Sequence, residues 1–264
     1  MVARFLAVSL AASLSLALHA ANVREVRFPD SKGGTTGAWL VEPAKRSGCA
    51  VLFVHWYDGE AGDSNRNQYL REAIPLADQD GCVSLLIDTM WSQTTWFPKR
   101  DATRDLENSQ AQVADLGKAL DFLLKQKGVH TSRVFYVGHD FGAMYGMVLA
   151  SRDKRVTGGW AFQAATASFS DWFLYYPRKQ VAERQAVIDK LAPLDPVKHV
   201  GQAGPAVLLQ FGRRDQHVPE AKAKALIDAA KEPKEAIWYD TGHALDEKAV
   251  GDRLRWVRAR LKTS

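Results

Sequence analysis

Residues 133–146 read RVFYVGHDFGAMYG and combine a strand, a tight turn and the start of a helix. The run VFYV is β-branched and aromatic, which favours a buried strand, and residues 138–142 then follow the pattern Gly-x-Asp-x-Gly. In a strand-to-helix elbow the central residue has a strained backbone, so flanking glycines let strand and helix approach closely. The pattern therefore places Asp140 at the carboxyl end of a strand, where such elbows present a nucleophile. The pentapeptide is short, and the strand before it and the small-residue helix after it give it weight.

Length and composition indicate one domain. The chain has 264 residues, enough for one large α/β core, and its composition does not shift along its length. The formal net charge is +5, but basic residues are scattered among acidic ones, which argues against a nucleic-acid surface. Apart from His243, the histidines show no metal-ligand spacing. We expect a small-molecule substrate and neither a metal nor a cofactor; the oligomeric state stays open.

The first residues resemble a secretory signal peptide. Arg4 precedes an apolar run over residues 5–18, and the small residues Ala20 and Ala21 follow it. The run is short for a membrane span, and no polar face interrupts it as in a buried helix. We expect residues 1–21 to be removed and the mature protein to be secreted or periplasmic, with no membrane attachment.

Export changes how the two cysteines are interpreted. Cys49 and Cys82 each stand just before an apolar strand, in CAVLFVHW and CVSLLID. If those strands are parallel neighbours, both cysteines lie at one end of the sheet, near enough for a disulfide in an oxidising compartment. The alternative is two small buried apolar side chains. Neither cysteine stands at the carboxyl end of a strand, so neither is a candidate nucleophile.

Strands and helices alternate along residues 22–264, which predicts an α/β fold with a mostly parallel sheet and helices on both faces. Strands are predicted at residues 22–28, 37–42, 49–56, 83–88, 134–137, 156–164, 206–211 and 236–239. Residues 166–191 break the alternation and are rich in aromatic side chains. We predict that they form a small lid over the strand ends.

Two downstream loops carry candidate partners for Asp140. The strand VLLQF ends in GRRDQHVP, which puts Asp215 on a loop at its carboxyl end, and IWYD ends in TGHA, which puts His243 in the equivalent place. In an open α/β sheet these loops border one crevice, so the three residues can meet. Alone, Asp215 could cap a helix, His243 could line one, and Asp140 could be a degenerate position.

At these motifs the chain resembles the α/β-hydrolases, in particular their dienelactone hydrolase-like branch, through HWYDG, GHDFG, GRRDQHVP and TGHA. The resemblance implies an eight-stranded, mostly parallel sheet with Asp140, Asp215 and His243 as nucleophile, acid and base. It departs at the elbow, because dienelactone hydrolases carry Cys there and most esterases Ser. Asp in this place is similar to epoxide hydrolases and haloalkane or haloacid dehalogenases. Their HG-x-P loop is not matched, since Trp56 stands where that glycine would be.

A carboxylate nucleophile favours attack at an sp3 carbon. With an unperturbed pKa near 4 it is charged at neutral pH and can open an epoxide or expel a halide, leaving an alkyl ester of Asp140. His243, oriented by Asp215, would activate water to hydrolyse that ester, and the N–H groups of Phe141 and of Trp56 or Tyr57 would hold the oxyanion.

Two alternatives stay open. Asp140 could act as a general base for water in the hydrolysis of an ester or lactone, or the chain could be a catalytically silent binding protein with this fold. Aromatic side chains near the strand ends are candidates for substrate contact, although such residues more often serve packing. These candidates are Trp91, Trp172, Tyr175 and Tyr176.

Overall fold

The computed structural model describes residues 20–174 and 184–262 and contains one eight-stranded sheet in the order β1-β2-β4-β3-β5-β6-β7-β8. β1 pairs antiparallel with β2, and β2 with β4, whereas all later neighbours are parallel. This confirms the predicted α/β-hydrolase fold. The strands are β1 Asn22–Pro29, β2 Thr35–Glu42, β3 Ala50–Val54, β4 Val83–Ile87, β5 Val134–His139, β6 Gly159–Gln163, β7 Val207–Gly212 and β8 Lys234–Tyr239.

Helices cover both faces of the sheet. They are α1 Leu70–Asp80, α2 Trp96–Lys99, α3 Asp105–Leu124, α4 Phe141–Arg152, α5 Ser170–Phe173, α6 Arg184–Leu191, α7 Glu220–Ala229 and α8 Glu247–Leu261. Side chains alternate along each strand, so Leu52 of β3 faces the core under α3 and α4, while Val51 and Phe53 face the core under α1 and α8. Because both faces are covered, the five residues of β3 are all buried.

The two cysteines form a disulfide. Cys49 and Cys82 lie one residue before β3 and β4, and the register of these parallel strands pairs Ala50 with Val83. The Cα atoms of the cysteines are 4.5 Å apart, and both residues are fully buried. The bond lies at the amino ends of the strands, opposite the edge that carries Asp140.

Two predictions fall partly outside the described residues. The signal peptide covers mainly residues 1–19, so it and the secreted or periplasmic location stay predictions. Residues 175–183 of the predicted lid also lie outside, but its described parts include α5 and α6, where Phe173 and Leu191 are buried. Its role as a lid stays a prediction. Within residues 20–174 and 184–262, no helix has the length and apolar character needed to cross a membrane.

Candidate active site

The elbow is built as its glycines indicate. Asp140 joins β5 to α4 with φ 51° and ψ −117°, a strained conformation for a residue with a side chain. An added Cβ on Gly142 would lie 2.0 Å from the carbonyl oxygen of Val54, and one on Gly138 would lie 2.6 Å from the Gly142 backbone. Only glycine allows β5, α4 and the end of β3 to come this close.

The carboxyl group of Asp140 is shielded from water, since the residue is 1% exposed. Burial raises the pKa of Asp140 to about 7. The positive charge of His243 and hydrogen bonds from the backbone N–H groups of Phe141 and Tyr57 oppose this rise. A carboxyl group with this pKa changes charge near neutral pH, which suits a group that exchanges protons or attacks as a carboxylate.

Asp215 and His243 form a hydrogen-bonded pair at the ends of β7 and β8. His243 Nδ1 lies 2.8 Å from Asp215 Oδ2, and the N–H groups of His217 and Val218 donate to Asp215 Oδ1 at 2.8 and 3.0 Å. Burial alone would raise the pKa of Asp215, but its bond and charge interaction with His243, with the two N–H donors, lower it overall. Burial opposes protonation of His243, but its bond to Asp215 and the charges of Asp140 and Asp215 outweigh burial and raise its pKa.

The structure thus brings the three predicted catalytic residues to one edge of the sheet. Asp140 follows β5, and Asp215 after β7 is bonded to His243 after β8. The ring of His139, next to Asp140 in the chain, lies 5.2 Å from that of His243. Asp140 Oδ1 and His243 Nε2 are among the buried side-chain atoms that have no hydrogen-bond partner within the described residues. Buried polar atoms are normally paired, and a catalytic role or a bound water is one explanation for those that are not.

The structure distinguishes the two candidates for the second oxyanion donor. The N–H of Trp56 donates to Gln68 Oε1 at 3.1 Å. The N–H of Tyr57, like that of Phe141, instead stabilises the charged form of the Asp140 carboxyl group and so lowers its pKa against the effect of burial. Trp56 contributes its indole, which packs on the ring of His139 with centroids 4.5 Å apart.

The predicted substrate-contacting aromatics lie in different places. Trp172 of α5 is beside the pair, with its ring 5.7 Å from that of His243 and 5.5 Å from that of His217. Trp91 is fully buried, and its Nε1 donates to the His55 carbonyl at 3.0 Å, which places it in the core behind the elbow. Tyr175 and Tyr176 lie outside the described residues.

Two further histidines lie beside His243, and the sequence had not indicated them as part of the site. His139 is buried with its ring 5.2 Å from that of His243, and burial lowers the pKa of His139 well below its usual value, so it is neutral. His217 packs between Trp172 and His243, at 5.2 Å from the latter ring. The signal for both was their position beside a candidate catalytic residue, in GHDFG and in RDQH. In residues 20–174 and 184–262 no cluster of three or more His, Cys, Asp or Glu side chains is placed to hold a metal.

Comparisons with known proteins agree with this architecture. The model of the prolyl oligopeptidase family matches residues 98–255, more than half of the chain, and includes the elbow and Asp215 and His243. The chain is similar to the polyketide transferase ATR5 of Stachybotrys chlorohalonatus, at 27% identity over 171 residues, which cover 64% of this chain and 52% of that protein. The chain thus spans about half the length of this curated relative.

Solved structures share the fold. The acetyl xylan esterase from Paenibacillus sp. R4 has a TM-score of 0.70 at 17% identity, over 92% of this chain and 89% of that one. The α/β-hydrolase GrgF from Penicillium sp. sh18 has a TM-score of 0.66 at 17% identity, over 91% of this chain and 99% of that one. At these identities the likeness concerns the fold. None of these matches singles out the dienelactone hydrolases or an aspartate nucleophile.

Proposed function

The chain belongs to the prolyl oligopeptidase family and has the α/β-hydrolase fold, and we propose that it hydrolyses a small carboxylic ester or lactone with Asp140 as general base. The acetyl xylan esterases among the similar structures support ester hydrolysis as the reaction class. One observation carries the roles within the site: Asp140 Oδ1 and His243 Nε2 are buried and unpaired among the described residues. A base and an acid for the two halves of the reaction are therefore both available.

The proton transfers of this route balance. The Asp140 carboxylate takes a proton from water as the water oxygen bonds to the acyl carbon, and the negative charge moves to the carbonyl oxygen. Protonated Asp140 is a weaker acceptor, which frees the N–H groups of Phe141 and Tyr57 to bind this oxyanion. When the C–O bond breaks, His243 donates its proton to the leaving oxygen. Transfer of the proton from Asp140 to His243 restores the starting state.

A second candidate is the displacement route on an epoxide or a carbon–halogen bond. One feature favours it: the backbone N–H groups of Phe141 and Tyr57 stabilise the charged form of the Asp140 carboxyl group and so oppose the rise of its pKa. If one carboxylate oxygen attacked an sp3 carbon, the other would become the carbonyl oxygen of the alkyl ester and stay beside both donors. Water activated by His243 would then attack the Asp140 carboxyl carbon, and the oxyanion would form where those donors point. An attack of Asp140 on an acyl carbon would instead give an anhydride, which disfavours a covalent ester route.

Oxygen labelling separates the two routes. With enzyme in excess over substrate in H₂¹⁸O, the general-base route puts ¹⁸O into the acid product in the first turnover and leaves the protein unlabelled. The displacement route gives an unlabelled alcohol oxygen in the first turnover and leaves ¹⁸O in the Asp140 side chain. Mass spectrometry of the product and of the tryptic peptide spanning residues 134–152 reads both results.

The His243→Gln variant is the matched test of the intermediate. Under the ester proposal it loses turnover without a covalent adduct, whereas under the displacement route an alkyl adduct on Asp140 accumulates. The panel contains small esters, lactones, epoxides and haloacids. If folded wild-type protein turns over none of them and forms no adduct, both proposals fail for that panel and a silent binding protein becomes the better explanation.

A further inference from the structure

The imidazole of His55, at the end of β3, is held on both sides. The residue is 1% exposed. Its Nδ1 lies 2.9 Å from the carbonyl oxygen of Trp56, and its Nε2 lies 3.0 Å from Ser92 Oγ and 3.1 Å from Thr89 Oγ1. The Ser92 hydroxyl is itself fixed, because it accepts the N–H of Thr89 at 2.7 Å. The ring therefore connects the loop after β3 to the loop after β4.

These contacts define the tautomer of His55. A carbonyl oxygen only accepts hydrogen bonds, so Nδ1 carries the hydrogen, and Nε2 accepts from the hydroxyl groups. Burial lowers the pKa of His55 to about 4, which keeps the ring neutral at physiological pH. The ring thus donates to Trp56 throughout the pH range in which Asp140 titrates.

The bond to Trp56 fixes the direction of a neighbouring donor. The carbonyl of Trp56 and the N–H of Tyr57 belong to one peptide unit, and the cis peptide bonds of the described chain are at Pro205 and Pro233. In a planar trans peptide the C=O and N–H point in opposite directions, so anchoring the oxygen aims the N–H. The preceding peptide is anchored as well, because Trp91 Nε1 donates to the His55 carbonyl at 3.0 Å.

We propose that His55 is a positioning residue whose Nδ1–H holds the Trp56–Tyr57 peptide so that the Tyr57 N–H points at the Asp140 carboxyl group. The proposal depends on the proposed function only where the Tyr57 N–H binds an oxyanion during the reaction. The positioning itself is a property of the free protein. It can therefore be tested without a substrate.

The test uses amide NMR of the free protein between pH 5 and 9. In the wild type we expect the amide signals of Tyr57 and Phe141 to shift together as Asp140 titrates, since burial raises the pKa of Asp140 to about 7. In His55→Gln, whose side-chain amide replaces Nε2 but not Nδ1, the Tyr57 signal loses most of this shift and the Phe141 signal keeps it. In His55→Asn, whose amide nitrogen replaces Nδ1, the Tyr57 shift is retained.

Several results would overturn the proposal. An unchanged Tyr57 titration in His55→Gln would show that the bond does not aim the N–H. Equal loss at Tyr57 and Phe141 would show that His55 only maintains the fold of the site. A measurement that needs no variant is the ¹⁵N spectrum of the wild-type imidazole, where a hydrogen on Nε2 of His55 would exclude the bond to Trp56.

Turnover provides a second readout once a substrate is known. His55→Gln should lower kcat by about 10²-fold, as for loss of one oxyanion donor, with KM nearly unchanged, and His55→Asn should recover most of the loss. His199→Phe is the matched control, because it removes a partly buried histidine that bonds Ser151 and Pro193 far from the site. If no substrate is found, the proposed function fails while the NMR result still decides the role of His55.

Discussion

At the scale of single residues, Asp140 combines a buried carboxyl group with a strained backbone. Its folded-state pKa of about 7 lies above the ordinary aspartate value of 3.8, so between these pH values the folded protein holds a proton that the unfolded chain releases. Stability therefore falls as pH rises through this window, and the destabilisation is complete above pH 7. A raised carboxyl pKa of this size corresponds to about 4 kcal/mol at most.

Asp140→Asn should remove this dependence. The neutral amide cannot titrate, so the free energy of unfolding of the variant relative to wild type should increase by up to about 4 kcal/mol between pH 4 and pH 8. Urea unfolding across this range measures it. Asp240→Asn, at an exposed side chain, controls for the loss of one negative charge. Parallel curves for Asp140→Asn and wild type would contradict the raised pKa.

The sequence predicted well which residues lie together at the site. It predicted less well what each of them contacts there. The positions of Asp140, Asp215 and His243 follow from loops at strand ends, which a parallel sheet must bring together. The choice between Trp56 and Tyr57 depends on the orientation of one peptide plane, which no residue pattern encodes. The burial of Trp91 depends on how the loop after β4 folds back on the elbow, a long-range contact.

At the scale of elements, the elbow depends on close packing of α4 against the end of β3. Gly142→Ala should destabilise the protein by about 3 kcal/mol or more, because its Cβ would lie 2.0 Å from the Val54 carbonyl oxygen, a backbone atom that cannot easily move away. Gly117→Ala in α3 is the matched control, since nothing lies within 4 Å of its added Cβ. Removing that glycine from a helix interior should stabilise by about 0.5–1 kcal/mol. Urea unfolding measures the free energy of unfolding of both variants. Equal changes in Gly142→Ala and Gly117→Ala would contradict the packing argument.

The elements themselves were largely predictable. All eight strands lie where they were predicted, and the buried parallel strands gave the clearest signal, because they have few polar residues to interrupt the apolar run. The boundaries were less accurate: the strand predicted over residues 49–56 is β3 Ala50–Val54, which ends two residues earlier. Strand β6 is shorter than residues 156–164, because its register with β5 begins at Gly159.

At the scale of the whole molecule, a buried ion pair joins two helices that are distant in sequence. Arg253 of α8 donates from Nε and Nη2 to Glu72 of α1 at 2.8 and 2.5 Å, and from Nη1 to Gln210 at 2.6 Å. Both charged side chains are nearly inaccessible, at 4% and 2% exposure. No local pattern in either helix predicts this contact, which depends on both helices covering the same face.

Arg253→Met should lower the free energy of unfolding by about 3–5 kcal/mol, because it leaves the Glu72 carboxylate buried without its partner. Replacing both residues by Met should cost clearly less than the single change, since no charge then stays buried. Urea unfolding of the two single variants and the double variant gives the coupling.

A second pair between the same helices supplies the control. Arg71 and Glu247 are 46% and 81% exposed, so Glu247→Gln should cost less than about 1 kcal/mol. A double Met variant no more stable than Arg253→Met would show that the pair is not the source of the loss.

The disulfide between Cys49 and Cys82 has a topological consequence. It converts residues 49–82 into a closed ring from which two tails leave, and the ring includes His55, Tyr57 and all of α1. One broken peptide bond inside the ring leaves a single covalent molecule, whereas a break anywhere else divides it. The segment that presents the Tyr57 N–H is thus tethered by two independent covalent routes to the rest of the chain.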